Sequence, residues 1–291
     1  MNTGFLLAIG AYVSWGLLPA YWKLLSHVPT TQVLCHRIFW SFVALAVFLG
    51  LAKRLRSLKA SLGPSVWKSY SLASLLIGIN WFIYVWSVNA GFIVEASLGY
   101  FINPLLSVLL GVVILGERLR PLQWLPLGLA LSGVVYLTLS HGKPPWIALT
   151  LAITFSLYGL VKKKAPLGAF EGLTLETGLL LFPALAFLGW SEATHNGAFL
   201  HSSTGSDLLL MGAGLVTTAP LVMFAAAAHR IPLTMIGILQ YIAPTIQFLL
   251  GVFLYREPFS TTQLTGFSLV WAAVALFLLE RWSSLSRQRA V

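Results

Sequence analysis

The sequence predicts an all-α polytopic membrane protein, with ten transmembrane helices arranged as two inverted-topology five-helix repeats. Three observations carry this reading. The first is composition. Of 291 residues, 58% are hydrophobic and 9% charged, whereas soluble domains carry about 25% charged residues. So few charges cannot cover a surface facing water, and the apolar runs have membrane-crossing length. The second is an internal repeat. Residues 101–117 laid on 241–257 match at seven of seventeen positions, without a gap and at an offset of 140. The matches are Ile102 with Ile242, Pro104 with Pro244, Leu109 with Leu249, Leu110 with Leu250, Gly111 with Gly251, Val112 with Val252 and Glu117 with Glu257. Chance in so apolar a chain gives roughly two. The third is the placement of Lys and Arg, which cluster between alternate apolar runs.

A hydrocarbon core of about 30 Å takes about 20 apolar residues as helix. By that measure the spans are 4–25, 32–52, 70–90, 95–115, 121–140, 145–161, 171–190, 207–228, 232–255 and 261–281. The first has no basic segment ahead of it and no small-x-small cleavage site behind it, so it reads as a retained span. The second holds Cys35, the one cysteine, so the chain forms no internal disulfide. The fourth ends on Gly116, Glu117 and Arg118. A tight turn at 141–145 separates the fifth from a short sixth, and the repeats divide there into 1–141 and 142–291. Lys162, Lys163 and Lys164 then read as a solvated loop that sets topology. The small residues 225–228 read as a close helix contact.

Orientation follows from the cations. With a cytoplasmic N-terminus, fourteen Lys and Arg fall on cytoplasmic segments and three fall outside, namely Lys23, Lys143 and Arg256. Both termini are therefore expected in the cytoplasm. Five spans per repeat is odd, so the second copy enters the membrane inverted. That architecture recurs in secondary transporters, with the site near the midplane between the halves.

Polar groups in hydrocarbon are costly, and each asks for a reason. Arg37 either snorkels to the headgroups or forms an intramembrane pair. Its neighbour His36 is a proton relay or a hydrogen-bonded core residue. Glu95 caps the fourth span or pairs with Arg37. Glu176 binds a cationic group, carries a proton, or pairs with one of the three lysines. Pro104 and Pro244 each free a carbonyl at matching places, with Pro19 and Pro220 as further candidate helix breaks. Polar and aromatic residues form stripes at helical spacing: Tyr12, Trp15 and Pro19; Asn80, Tyr84 and Ser87; Tyr100, Asn103 and Ser107; Thr154 and Tyr158; Gln240, Pro244 and Gln247. With the adjoining Trp81 and Tyr241, they are expected to line one cavity among spans 1, 3, 4, 6, 8 and 9. Its occupant would be a small molecule with an apolar body and a polar end.

No phosphate-binding loop, zinc-binding His/Cys spacing or nucleophile–base pair is legible. No cofactor and no metal is expected, and the dispersed cations suit anionic lipid rather than nucleic acid. Protons are the candidate coupling ion, and the oligomeric state is left as monomer or dimer. The rival to a transporter is a membrane-embedded enzyme or sensor acting on a lipid-soluble small molecule.

Several blocks resemble a known family. AYVSWGLLPAYWK (11–23), HRIFWS (36–41), GINWFIYVWSVN (78–89), EASLGYFINPL (95–105), LGERLRPLQW (115–124) and QYIAPT (240–245) are similar to the RarD branch of the EamA transporters, within the drug/metabolite transporter superfamily. The resemblance spans all ten helices. It implies a bacterial inner-membrane exporter of a small metabolite or drug, amino acid-like or chloramphenicol-like.

Overall fold

In hydrocarbon a chain must satisfy its backbone polar groups internally, and a helix does so within one segment. The computed structural model describes residues 3–90, 92–140, 145–256 and 261–289. Those residues form helices α1 (Thr3–Leu24), α2 (Thr30–Leu51), a short α3 (Leu55–Ala60), α4 (Pro64–Asn89), α5 (Ile93–Leu115) and α6 (Trp124–Ser140). The second half forms α7 (Trp146–Lys164), α8 (Ala169–Ala193), α9 (Thr204–Ala228), α10 (Leu233–Leu239), α11 (Ile242–Leu249) and α12 (Thr261–Arg289). Among the described residues, nine stretches are long and apolar enough to cross a membrane, and a shorter apolar stretch, Leu264–Leu276, lies in α12.

Two elements differ from expectation. The sixth span does not stop at 161. It continues as α7 through all three lysines, because Lys162 and Lys163 find partners that hold the last turn in place. The ninth span is divided into α10, α11 and a wide π turn over Leu250–Leu254. Pro244 has no N–H for the carbonyl of Gln240, and the N–H of Ala243 takes that carbonyl instead, at 3.2 Å. The helix tightens by one residue there and restarts. By contrast α1, α5 and α9 run unbroken past Pro19, Pro104 and Pro220. The expected break at Pro104 is therefore absent. The ring removes one donor and the ladder resumes beyond it.

Packing follows an exchange pattern. The helix α1 packs on α9, as α7 packs on α4. The contact of α2 with α9 is matched by that of α8 with α4, and α5 with α7 by α11 with α1. The pairs α2–α8, α5–α10 and α6–α12 map onto themselves when the halves are exchanged. The main core gathers Tyr12, Ile77, Tyr158, Phe224, Leu233 and Ile236.

Close crossings rest on particular glycines. A Cβ on Gly214 would lie 2.5 Å from Trp40 Cβ and 2.6 Å from the Ser41 nitrogen. The Ser41 hydroxyl donates to the Gly214 carbonyl at 3.0 Å across the same contact. Backbone cannot yield as a side-chain tip can, so Gly214→Ala is expected to cost about 1–3 kcal/mol. Thermal unfolding in detergent measures this. Gly128→Ala is the control, since a Cβ there meets nothing within 4 Å.

Candidate functional site

The stripes converge. A cavity of about 130 Å³ is lined from α1, α2, α4, α5, α7, α9, α11 and Gln240, which joins α10 to α11. Of the ten residues expected to bind substrate, Tyr12, Trp15, Asn80, Trp81, Tyr84, Tyr100, Asn103 and Gln240 line it. Pro19, Pro244 and Arg37 line it too, so the second span joins the six that were expected.

The other expected residues stand elsewhere. Tyr158 is fully buried beneath the cavity, stacked on Phe224 at 6.0 Å. Tyr241 turns away, and its hydroxyl donates to the Phe101 carbonyl at 3.3 Å. Pro104 borders a separate small crevice, and Pro220 is buried within α9. His36 packs on Phe199 at 5.1 Å, beside a second cavity with Gln32, Glu192 and His201. The side chain of Glu95 lies outside the described residues, and so does Glu257.

Aromatic rings build the walls. Trp15 meets Tyr12 at 5.5 Å and Phe155 at 5.8 Å, and Tyr84 meets Tyr100 edge-on at 5.8 Å. Arg37 is the cation of the lining. Its Nε donates to Thr217 Oγ1 at 3.1 Å, and its guanidinium lies 4.7 Å from the Trp81 ring and 5.0 Å from that of Trp22. Two of the lining amides are committed to the frame. Asn80 donates to the Leu151 carbonyl at 2.9 Å and to Thr154 Oγ1 at 3.0 Å. Asn103 Oδ1 accepts from Ser156 at 2.7 Å and from Ser107 at 3.3 Å. The hydroxyl of Tyr12 is buried without a partner among the described residues.

Beneath the cavity sits a closed charge layer. Lys162 Nζ and Glu176 Oε1 are 2.7 Å apart, each side chain 1% exposed. Tyr158 donates to Glu176 Oε2 at 2.9 Å, and the Lys162 ammonium lies 5.3 Å from the Tyr70 ring. The expectation of a solvated lysine loop fails here. A buried carboxylate on α8 requires a cation, and α7 supplies it.

A second lattice closes the same end. Gly116 is left-handed at φ 65°, and Glu117 N–H reaches back to the Gly111 carbonyl at 3.0 Å. This turn carries the Glu117 carboxylate to the start of α10, where it accepts from Leu233 N–H at 2.7 Å and Thr234 N–H at 2.9 Å. Anions are favoured at a helix N-terminus. Lys163 Nζ lies 3.8 Å from Glu117 and donates to the carbonyls of Ile231 at 2.7 Å and Ala228 at 3.3 Å. Exposure rises the other way. Tyr12, Tyr158 and Phe224 are shut off, whereas Trp22, Arg37, Trp81, Tyr84 and Tyr100 are half-buried.

Sequence reasoning missed Trp22, Phe155, Thr217 and the Lys163 contacts, whereas the pairing of Glu176 with one of the three lysines was among its alternatives, and the partner is Lys162. Trp22 was within reach, since it continues the stripe Tyr12, Trp15, Pro19 by three residues. Thr217 had no local signal, because its partner is 180 residues away.

The sequence profile of the EamA-like transporter family matches twice, over residues 2–139 and 144–279. The chain is 44% identical over 290 residues to Protein RarD of Streptomyces exfoliatus, covering 99% of this chain and 92% of that one. It is 45% identical over 293 residues to an uncharacterized transporter, YojE, of Bacillus subtilis, covering 98% of this chain and 97% of that one. A solved crystal structure shares the fold at TM-score 0.69 and 21% identity, over 95% of this chain and 97% of the other. A doubled family match, near-complete alignment with relatives that include a named transporter, and an aromatic-lined cavity inside a bundle of long apolar helices agree: this chain belongs to the EamA-like transporter family.

Proposed function

We propose that the protein is a secondary exporter of the bacterial inner membrane, with both termini in the cytoplasm. Its halves, 1–141 and 142–291, rock about the central cavity by alternating access. The observation that carries this reading is the cavity itself. It is walled by both halves, with the Lys163–Glu117 contact at one end and the half-buried residues Trp22, Arg37 and Tyr84 toward the other, which we read as its mouth. With the lysines cytoplasmic, this is the outward-facing state. The cargo is a small amphipathic molecule, amino acid-like or chloramphenicol-like, whose apolar body lies against Trp15, Trp81 and Phe155. Protons drive export, and Glu176 is the carrier. Protonating it would release Lys162 and Tyr158 and loosen the sealed end.

Efflux from proteoliposomes tests this. The panel is aromatic and branched amino acids with neutral and cationic drugs, each with and without a pH gradient. Saturable flux that follows the gradient is expected for at least one class. Replacing the cavity wall residue Leu221 by Trp is expected to reduce that flux at least tenfold, since Leu221 is 2% exposed and a larger ring must enter the cavity. Flux that ignores the gradient would remove proton coupling. No flux of any compound through folded protein would return the enzyme and sensor readings.

A further inference from the structure

Arg37 is held as a binding group is held. A guanidinium has five N–H donors in one plane. Thr217 takes the Nε–H, and the rings of Trp22 and Trp81 lie near the guanidinium. Aromatic faces support the charge but accept no in-plane hydrogen bonds. The four terminal N–H donors have no hydrogen-bond acceptor among the described residues. Nor does any described carboxylate pair with Arg37, and no Asp or Glu lines the cavity. The nearest buried carboxylate layer, Glu176, is neutralised by Lys162. Among the described residues, then, nothing in the cavity lining offsets the Arg37 charge.

Two more polar groups are uncommitted around it. The Tyr12 hydroxyl is fully buried with no partner among the described residues. Gln240, 6% exposed, has no side-chain bond among the described residues. Buried polar groups in folded proteins are nearly always satisfied, and exceptions point to something that arrives. Acceptors for an ammonium are scarcer, because Asn103 Oδ1 is already filled by two hydroxyls.

We propose that the cavity selects a carboxylate: the cargo is a small organic acid with an aromatic or branched aliphatic body, and Arg37 takes the carboxylate through its terminal N–H groups. The Tyr12 hydroxyl and the Gln240 amide complete the polar end, and the rings of Trp15 and Phe155 take the body. An arginine fork fits two carboxylate oxygens, and its weak hydration suits a half-buried site. Among the described lining residues no carboxylate awaits an ammonium, so the carboxylate is the group selected, over the neutral amide and the cation. This inference rests on the transporter reading for its biological sense but not for its test.

The test is binding to the full chain in nanodiscs of neutral lipid, measured by calorimetry. The probes share one body: 3-phenylpropionate, 3-phenylpropanamide and 3-phenylpropylamine. The acid is expected to bind at least tenfold tighter than the amide, and the amine weakest. In Arg37→Gln the acid-to-amide ratio is expected to fall to about one. Arg37→Lys, which keeps the charge and loses the fork, is expected to retain part of the ratio. The comparison in the parent protein stands even if a variant fails to fold. Equal or tighter binding of the amide or amine overturns the proposal, as does no binding of any probe at millimolar concentration, or an unchanged ratio in folded Arg37→Gln. Acid preference without flux in liposomes would keep the anion site and remove the transporter reading. Flux of cations without acid preference would do the reverse.

Discussion

Removing one charge of the Lys162–Glu176 pair is expected to destabilise the protein by about 3–5 kcal/mol, the cost of leaving its partner charged and buried. Both side chains are 1% exposed and 2.7 Å apart, so neither can turn to water. Glu176→Gln leaves an ammonium among the Tyr70 and Tyr158 rings. Lys162→Met leaves a carboxylate with one phenol donor. The double variant Lys162→Met with Glu176→Gln removes both charges, and it is expected to recover most of the loss. Thermal unfolding of the four proteins in one detergent closes the cycle. Additive losses in the double variant would show that the two groups do not depend on each other. The double variant also isolates the proposed proton step. If it folds and exports, but the flux no longer follows the pH gradient, Glu176 carries the proton. If the gradient still drives flux, the pair is structural.

Glu117→Ala is expected to open the sealed end. Its carboxylate accepts the first N–H groups of α10 and lies near Lys163. Each partly buried donor left unpaired costs about 1–3 kcal/mol. These contacts join the end of α5 to α7 and α10, and under the proposed alternating access they part when this end opens. Losing about 2–3 kcal/mol from one state of a two-state equilibrium shifts its population roughly 30–150-fold. The measurement is labelling of Leu221→Cys, in a Cys35→Ser background, by an impermeant maleimide applied at the lysine side. The rate is expected to rise at least tenfold in Glu117→Ala. Gly111→Ala should act in the same direction with the carboxylate still present. A Cβ there would lie 2.8 Å from Glu117 Oε2 and 2.9 Å from Thr234 Cγ2, which forces the lattice apart. An unchanged labelling rate in both variants would mean that packing, not this lattice, holds the end closed.

Much of the site was readable before any coordinates. Stripes at helical spacing placed Tyr12, Trp15, Asn80, Tyr84, Tyr100, Asn103 and Gln240 on faces that meet, and these seven do line one cavity. The stripes succeeded because a helix has one period, and its spacing needs no partner to be read. They failed where a face serves two layers. Tyr158 shares a stripe with Thr154, but α7 carries it one turn deeper, where Glu176 takes its hydroxyl. Tyr241 sits beside Gln240, but the step from α10 to α11 turns it toward Phe101.

The sequence by itself determined the class of solvent, the approximate positions of the spans and the doubling of the unit. Those depend on composition, run length and self-similarity, which are properties of the chain alone. Only the tertiary structure decided which charges meet. Lys162 with Glu176, Lys163 with Glu117 and Arg37 with Thr217 join residues 14 to 180 positions apart. In a low-dielectric interior a charge takes whatever partner packing brings within a few ångströms, and sequence spacing holds no record of that distance.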